Sequence, residues 1–243
     1  MKKIICFASF VFLAGAAAFG QQAQQPVDPV NDAARQALEA NKDSAQQKLK
    51  EISLSKFEDA GFWKATISMD QGITSPRRME GAPAAKKPIP DEEAIGIKEE
   101  DKYVLGIKTE FFHRGDATIA IEPSRPINIA GIAKTLSVWV VGRNVNHTLR
   151  AIFRDFNGKP FELTVGTLNF SGWKQLTFAV PPEIGQRNPH YGTLTGISFL
   201  GFRIDCDLTE TYGSYYLYFD DLRVITDLFT EESRDEDDML DTW

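Results

Sequence analysis

The sequence predicts a mainly β protein built as one antiparallel β-sandwich, and three observations lead to this fold class. About ten short runs of strand-forming residues follow Leu54, and Gly, Pro, Asn or Asp separates one run from the next. Several runs alternate apolar and polar residues, as strands with one buried face do. No regular alternation of strand and helix patterns appears, which argues against a parallel α/β sheet.

Residues 1–20 have the pattern of a cleavable signal peptide. Lys2 and Lys3 precede an apolar run, and Ala-Phe-Gly at 18–20 fits a small-x-small cleavage site. The apolar run is shorter than the ~20 residues that a spanning helix needs. We therefore expect an exported chain that begins near Gln21 and has no transmembrane anchor after cleavage.

Cleavage changes the charge and cysteine content of the chain. The formal net charge falls from -7 to -9 when Lys2 and Lys3 are lost (-7 - 2 = -9). This acidic balance argues against nucleic acid as a partner. Cys206 alone remains of the two cysteines, so no internal disulfide is expected and stability must come from the core.

Residues 21–53 are predicted to form a linker followed by a helix. Asp28 and Pro29 have the pattern of a helix start, and the apolar positions that follow recur at roughly helical spacing. The apolar stripe consists mostly of Ala, so this helix is either weakly docked or waits for a partner surface.

Residues 54–228 are predicted to form the sandwich domain. An Asn-Gly pair at 157–158 predicts a hairpin turn. Three prolines and mixed charges predict that 79–93 is an exposed insertion loop. The predicted strand runs are LSKFE, FWKATISM, YVLGIKTEFF, ATIAIEP, TLSVWVVG, TLRAIFRD, FELTVGTL, WKQLTFAV, GISFLGFRID and YYLYFDDLRV.

Residues 229–243 are predicted to be a disordered acidic tail. Seven acids and one Arg lie between 231 and 243, and such charge runs are usually solvated. Leu240 and Trp243 are unusual there, because a purely solvating tail needs no Trp.

The sequence offers no recognisable catalytic motif. The three histidines, His113, His147 and His190, lie in different segments, and none has metal-ligand spacing to another His or Cys. Phosphate-binding glycine loops and the G-x-S-x-G elbow are also missing from the sequence. We therefore expect that the protein is not an enzyme and has no catalytic cofactor.

A family resemblance is carried by four segments, together with the signal peptide and the polar tail. The segments are KFEDAGFW (56–63), 136–181, GISFLGFRIDCD (196–207) and YLYFDDLRV (216–224). The chain resembles the FlaA-type outer-layer sheath proteins of spirochaete periplasmic flagella. This resemblance implies a structural protein of the periplasm that coats a flagellin core, contacts other sheath subunits and contributes to filament shape, stiffness and motility.

A broader resemblance connects KFEDAGFW and YLYFDDLRV with jelly-roll carbohydrate-binding modules of the galactose-binding-like type. It implies that Glu58 and Asp220 lie together, often around a structural calcium ion. A secreted or periplasmic carbohydrate-binding module is therefore the alternative function.

Two adjacent carboxylates interrupt the last predicted strand. Strict alternation places Asp220 on the inward face and Asp221 on the opposite, solvated face. A buried carboxylate must be paired, so we expect either calcium or backbone hydrogen bonds at Asp220.

A basic patch is the candidate partner surface. Arg143, His147, Arg150 and Arg154 lie in or beside the strands between 135 and 155, with Arg150 and Arg154 on the outward face. The alternatives are a solvated sheet face and a surface that meets an acidic partner.

Overall fold

The computed structural model describes residues 49–90, 92, 96, 101–187 and 196–228. The signal peptide, most of the predicted N-terminal helix and the acidic tail lie outside these residues. Among the described residues, no helix is long and apolar enough to span a membrane. The strands are β1 Leu49–Ser55, β2 Trp63–Ile67, β3 Gly72–Glu80, β4 Tyr103–Phe111, β5 Thr118–Pro123, β6 Ile127–Ile129, β7 Ile132–Arg143, β8 Thr148–Arg154, β9 Pro160–Thr167, β10 Ser171–Ala179, β11 Ile197–Asp205 and β12 Ser214–Asp227, with one 3-10 turn at Ala60–Phe62.

The strands form two antiparallel sheets, which confirms the predicted sandwich. Sheet A has the order β10-β7-β12-β4-β3, and β1 also pairs with β12. Sheet B has the order β2-β5-β11-β8-β9, and β6 also pairs with β11. The predicted turn at 157–158 joins β8 to β9, with Gly158 at φ 83° and the Asp155 carboxylate accepting from the Asn157 amide.

Aromatic side chains join the two sheets at the centre of the core. The rings of Phe219 from sheet A and Phe202 from sheet B stack with centroids 5.0 Å apart. Phe57 stacks on Phe219 at 6.0 Å, and Phe199 meets Phe202 edge-on at 4.9 Å. All four side chains are at most 1% exposed, so they contribute much of the apolar burial that stabilises the fold.

The predicted helix end is wrong at residues 49–53. These residues form most of β1, which pairs with the second half of β12 and sets Ile52 opposite Val224. Pairing with an apolar strand buries more apolar side-chain surface than a helix with a thin Ala stripe would. Tertiary packing therefore overrides the local helix preference.

Strand β3 was not predicted, and the predicted loop boundary is wrong at Met79 and Glu80, which belong to it. Pro76 disguises this strand in the sequence. Within the order of sheet A, β3 is at the edge and pairs with β4 alone, and an edge strand tolerates a residue without an N–H.

The segment 81–90 is also less exposed than predicted. Ile89 is 2% exposed, Pro83 is buried, and the Lys86 side chain is 9% exposed. This segment packs over one part of sheet A instead of projecting into solvent.

A β-bulge in β12 overturns the predicted alternation. Asp221 has φ 53°, and the pairing register with β7 shifts between Asp220 and Arg223. Before the bulge Leu217 and Phe219 face the core, and after it Leu222 and Val224 do. The inward-facing positions therefore change from odd to even numbers at the bulge, so Asp220 and Asp221 both lie on the side away from the core.

Candidate interaction surface

The outer face of sheet A, on the side away from the core, has two neighbouring regions. Segment 81–90 covers the first, around Asp220, Asp221 and Arg223, and we name it the ionic clasp. The second lies beside the first half of β12 and is open; we name it the aromatic groove.

Lys86 is the centre of the ionic clasp. Its Nζ lies 3.0 and 2.9 Å from the two carboxylate oxygens of Asp220 and 2.7 Å from Oδ1 of Asp101. Asp220 is fully buried, so this ammonium compensates a carboxylate that has lost its hydration. The contact spans 134 positions of sequence and fastens segment 81–90 to sheet A.

Arg223 extends the ionic clasp to β1. Its guanidinium lies 2.7 Å from an Asp221 carboxylate oxygen and 3.3 Å from Glu51, and it donates to the Lys87 carbonyl. Asp221 is fully buried, so its predicted position at the surface is wrong. The bulge is the reason, because it places both adjacent carboxylates on the outer side of the strand, where Asp221 pairs with Arg223.

The two predicted calcium ligands are engaged by other groups. Glu58 accepts the backbone N–H groups of Lys102 at 2.8 Å and Tyr103 at 3.0 Å. Asp220 binds the Lys86 ammonium. This partner differs from both predicted ones, calcium and backbone N–H groups. Within the described ranges no group of three or more His, Cys, Asp or Glu could hold a metal ion. The donor set therefore does not fit calcium, because an ammonium fills the cation position at Asp220.

Burial raises the pKa of the Asp220 carboxyl to about 7, from an ordinary value of 3.8, although the Lys86 hydrogen bonds act to lower that pKa. Between pH 3.8 and about 7, the folded state binds more protons at the Asp220 carboxyl than the unfolded state does. The stability that protonation contributes is therefore complete below the ordinary pKa and is lost as pH rises through about 7.

We expect the wild type to lose stability relative to Asp220→Asn as the pH is raised from 4.5 to 7.5. The loss in the free energy of unfolding is up to about 1.4 kcal/mol for each unit by which the pKa of Asp220 differs between the folded and unfolded states. Urea unfolding of both proteins across this range measures the difference, and contributions from other carboxylates cancel. A difference that stays constant or rises with pH would contradict the raised pKa.

The aromatic groove is a hollow of about 370 Å³ on three adjacent strands. Three of its lining side chains are large, apolar or aromatic, and exposed: Ile73 at 59%, Met79 at 42% and Tyr216 at 41%. Gly106 keeps the floor open, because a Cβ there would lie 2.8 Å from Met79 Cγ. The lining residues are Ile73, Ser75, Arg77 and Met79 of β3, Gly106, Ile107, Lys108 and Glu110 of β4, and Tyr216 and Tyr218 of β12.

Cations surround the rings of this groove. The Arg143 guanidinium lies 5.5 Å from the Tyr218 ring centroid, and its Nε donates to the Tyr216 carbonyl at 3.4 Å. The Lys108 ammonium lies 5.9 Å from the Tyr216 ring centroid. Arg77 lines the same hollow. Aromatic, methionine and arginine side chains in this combination are typical of protein interfaces.

The four residues of the predicted basic patch do not form one surface. Arg143 ends β7 in sheet A, whereas Arg150 and Arg154 lie in β8 of sheet B. Arg150 donates to Asp205 at 2.6 Å, so a carboxylate already compensates its charge.

His147 is fully buried, and its predicted place in a partner surface is wrong. Its ring packs edge-on against Tyr215 at 4.8 Å, and its Nδ1 accepts the Asp207 amide at 3.1 Å. Burial lowers the pKa of His147, which favours the neutral ring.

Comparison with solved structures finds carbohydrate-binding modules. A family 11 module of a Clostridium thermocellum cellulosomal cellulase is 13% identical, covers 74% of this chain and 96% of its own, and has a TM-score of 0.42. A module solved with beta-1,4-galactotriose is 10% identical, covers 69% and 90%, and has a TM-score of 0.38.

Sequence comparisons give a more specific result. A putative flagellar filament outer layer-like protein of Brachyspira hyodysenteriae is 43% identical over 187 residues, covering 77% of this chain and 83% of that protein. Flagellar filament outer layer proteins of Spirochaeta aurantia and Treponema pallidum are each 30% identical, over 44% and 40% of this chain, but over only 35% and 30% of their own length. The family model described as flagellar filament outer layer protein FlaA matches residues 22–234. The chain therefore belongs to the flagellar filament outer layer family.

Proposed function

We propose that the mature chain is a structural subunit that coats the flagellin core of a periplasmic flagellum and contacts other coat subunits. The match of the outer-layer family model to residues 22–234 carries this proposal. The signal peptide pattern at 1–20 supports export to the periplasm, where the coat would assemble. In this role the subunit contributes to filament shape and stiffness, and thereby to cell motility.

The outer face of sheet A supports a role in assembly. Its groove exposes apolar and aromatic side chains beside cations, and surfaces of this composition commonly bind other proteins. The ionic clasp and the stacked phenylalanines fix the sandwich under that face, so the surface is preorganised for contact.

The environment of Cys206 fits a structural role and not catalysis. Cys206 is buried, and burial beside Asp205 raises the pKa of its thiol to about 12, so a reactive thiolate is strongly disfavoured.

Filaments isolated from cells that carry or lack this gene test the proposal. We expect the protein on wild-type filaments, with its N-terminus at or near Gln21, and we expect thinner filaments by electron cryomicroscopy in the deletion strain. Complementation with the wild-type gene is the control and should restore the diameter. Protein found only in the soluble periplasmic fraction, together with an unchanged filament diameter, would overturn the proposal.

The same filaments test the predicted basic patch. Arg150→Glu with Arg154→Glu should strip the protein from filaments if sheet B carries the contact, and should leave the coat intact if sheet A carries it. Arg143 belongs to the sheet A surface and remains unchanged in this variant. Thermal unfolding of the variant checks that the fold is retained.

Carbohydrate binding is the second candidate function. The observation that favours it is the open groove with Tyr216 and Tyr218 beside polar side chains, because sugar sites combine aromatic stacking with a few polar groups. Affinity electrophoresis of the wild type and Tyr216→Ala in gels that contain soluble glucans or galactans tests it. Retardation of the wild type alone would support this candidate, and equal mobility of both in every gel would reject it.

A further inference from the structure

We propose that the aromatic groove of one copy binds the acidic segment 235–243 of a neighbouring copy. This inference rests on the proposed coat function, because it describes how coat subunits would join one another. The groove and the segment match in charge and in apolar character, and the length of the intervening chain favours a neighbour over the same copy.

The segment 235–243 reads DEDDMLDTW. It combines five carboxylates with Met239, Leu240 and Trp243, and it contains no Lys or Arg. A segment that only solvates a protein end gains nothing from a Trp and a Leu, because apolar side chains are more stable when buried. The composition therefore suits a surface that offers both cations and apolar contacts.

The groove offers both. Arg77, Lys108 and Arg143 lie in or beside it and Glu110 is its one lining acid, which gives a local charge of +2 (3 - 1 = 2). The ion pair between Lys108 and Glu110 is exposed on both sides, so it holds Lys108 only weakly and an incoming carboxylate can replace it.

Apolar contacts are available in the same place. Ile73, Met79 and Tyr216 expose 59%, 42% and 41% of their surface. The missing side chain at Gly106 leaves room between Met79 and Tyr218, because a Cβ there would lie 3.1 Å from the Tyr218 ring. A Trp or Leu side chain seated in this hollow would cover these groups while the neighbouring carboxylates meet the cations.

The length of the chain distinguishes the same copy from a neighbour. Leu228 directly follows β12 and lies ten positions after Tyr218 (228 - 218 = 10), which corresponds to about 33 Å of extended chain. The six residues 229–234 span at most about 20 Å when fully extended. Asp235 and Glu236 at the start of the segment therefore stay short of the groove of their own copy, although its last residues can reach it. The groove of an adjacent copy has no such limit and can take the whole segment 235–243.

A contact between the tail of one copy and the groove of the next is heterologous. Each copy then offers one tail and one groove, so the contact repeats from copy to copy and builds an open array unless the rotation between copies closes it into a ring. An array of this kind is what a continuous layer along a filament requires.

Two complementary variants of the full mature chain test the inference. The groove variant carries Arg77→Glu and Lys108→Glu, and the tail variant carries Asp235→Asn, Glu236→Gln, Asp237→Asn, Asp238→Asn and Trp243→Ala. By sedimentation velocity we expect concentration-dependent oligomers for the wild type, monomers for each variant alone, and dimers for their mixture. The mixture yields dimers because it contains one intact groove for one intact tail.

A labelled peptide of residues 229–243 gives a direct binding measurement. Its fluorescence anisotropy should rise with the concentration of the tail variant, and affinity should fall by about tenfold or more with the groove substitutions. Binding should weaken with salt, since exposed charges are screened over about 8 Å at physiological ionic strength. A scrambled peptide of the same composition is the control for non-specific attraction.

Charge-matched substitutions away from the groove complete the design. Lys64→Glu with Arg125→Glu reverses two exposed cations outside the groove and should leave association unchanged. Equal binding of the scrambled peptide, or a mixture of variants that stays monomeric, would overturn the inference. If these results came with a normal filament coat, the inference would fail and the coat function would stand.

Discussion

Replacing Lys86 with Met is expected to lower the free energy of unfolding at pH 8 by about 3–5 kcal/mol, because it leaves a buried carboxylate without its charge partner. Asp220 is fully buried, and Lys86 contacts both of its carboxylate oxygens at 3.0 and 2.9 Å. The Met side chain keeps most of the volume and removes the charge, so the loss measures the ion pair and not a cavity. Urea unfolding monitored by Trp fluorescence measures the change.

Two further variants make this prediction specific. Lys87→Met changes the adjacent lysine, which is exposed, and should alter stability by no more than about 0.5 kcal/mol. Adding Asp220→Leu to Lys86→Met should recover much of the lost stability, because an apolar pair carries no unpaired charge. Equal effects of Lys86→Met and Lys87→Met would show that the ionic clasp contributes little.

Replacing Phe219 with Ala is expected to cost about 3–5 kcal/mol, the usual loss for a large aromatic side chain removed from a packed core. Phe219 is fully buried and stacks on Phe202 of the opposite sheet at 5.0 Å and on Phe57 at 6.0 Å. The substitution therefore opens a cavity between the two sheets and removes a contact that joins them.

Tyr216→Ala is the matched control for Phe219→Ala on the same strand. Tyr216 is 41% exposed in the groove, so its loss should cost no more than about 1 kcal/mol. Thermal and urea unfolding of both variants gives the comparison. A larger loss for Tyr216→Ala than for Phe219→Ala would mean that the assignment of core and outer faces in β12 is wrong.

Alternation of apolar and polar residues predicted the sandwich where strands are regular. In β8 the pattern placed Arg150 and Arg154 on the outward face, and the alternate residues Leu149, Ala151 and Phe153 do face the core. It failed in β12, because a single residue at positive φ changes which residues face inward, and Asp221 adopts that conformation without being Gly. The adjacent acids at 220 and 221 signalled an irregularity, although not its geometry.

The groove and the ionic clasp were beyond prediction because both depend on distant pairings. The groove combines β3, β4 and β12, and Pro76 concealed the first of these strands. Lys86 and Asp220 are separated by 134 positions, and in the sequence Lys86 is one charge in a segment rich in Pro and Ala. Local patterns report which face of a strand is apolar, whereas they do not report which distant segment covers the other face.

Pro76 at the edge of sheet A has a consequence for a protein that must be crowded with its own copies. An exposed strand edge is a template on which any extended chain can add by backbone pairing, without regard to side chains. In β3 that edge lacks one N–H at Pro76 and carries the exposed charges of Arg77 and Arg78. Non-specific strand addition is thereby disfavoured at this edge. Copies at high local density then associate through side-chain contacts, which are specific for particular partners.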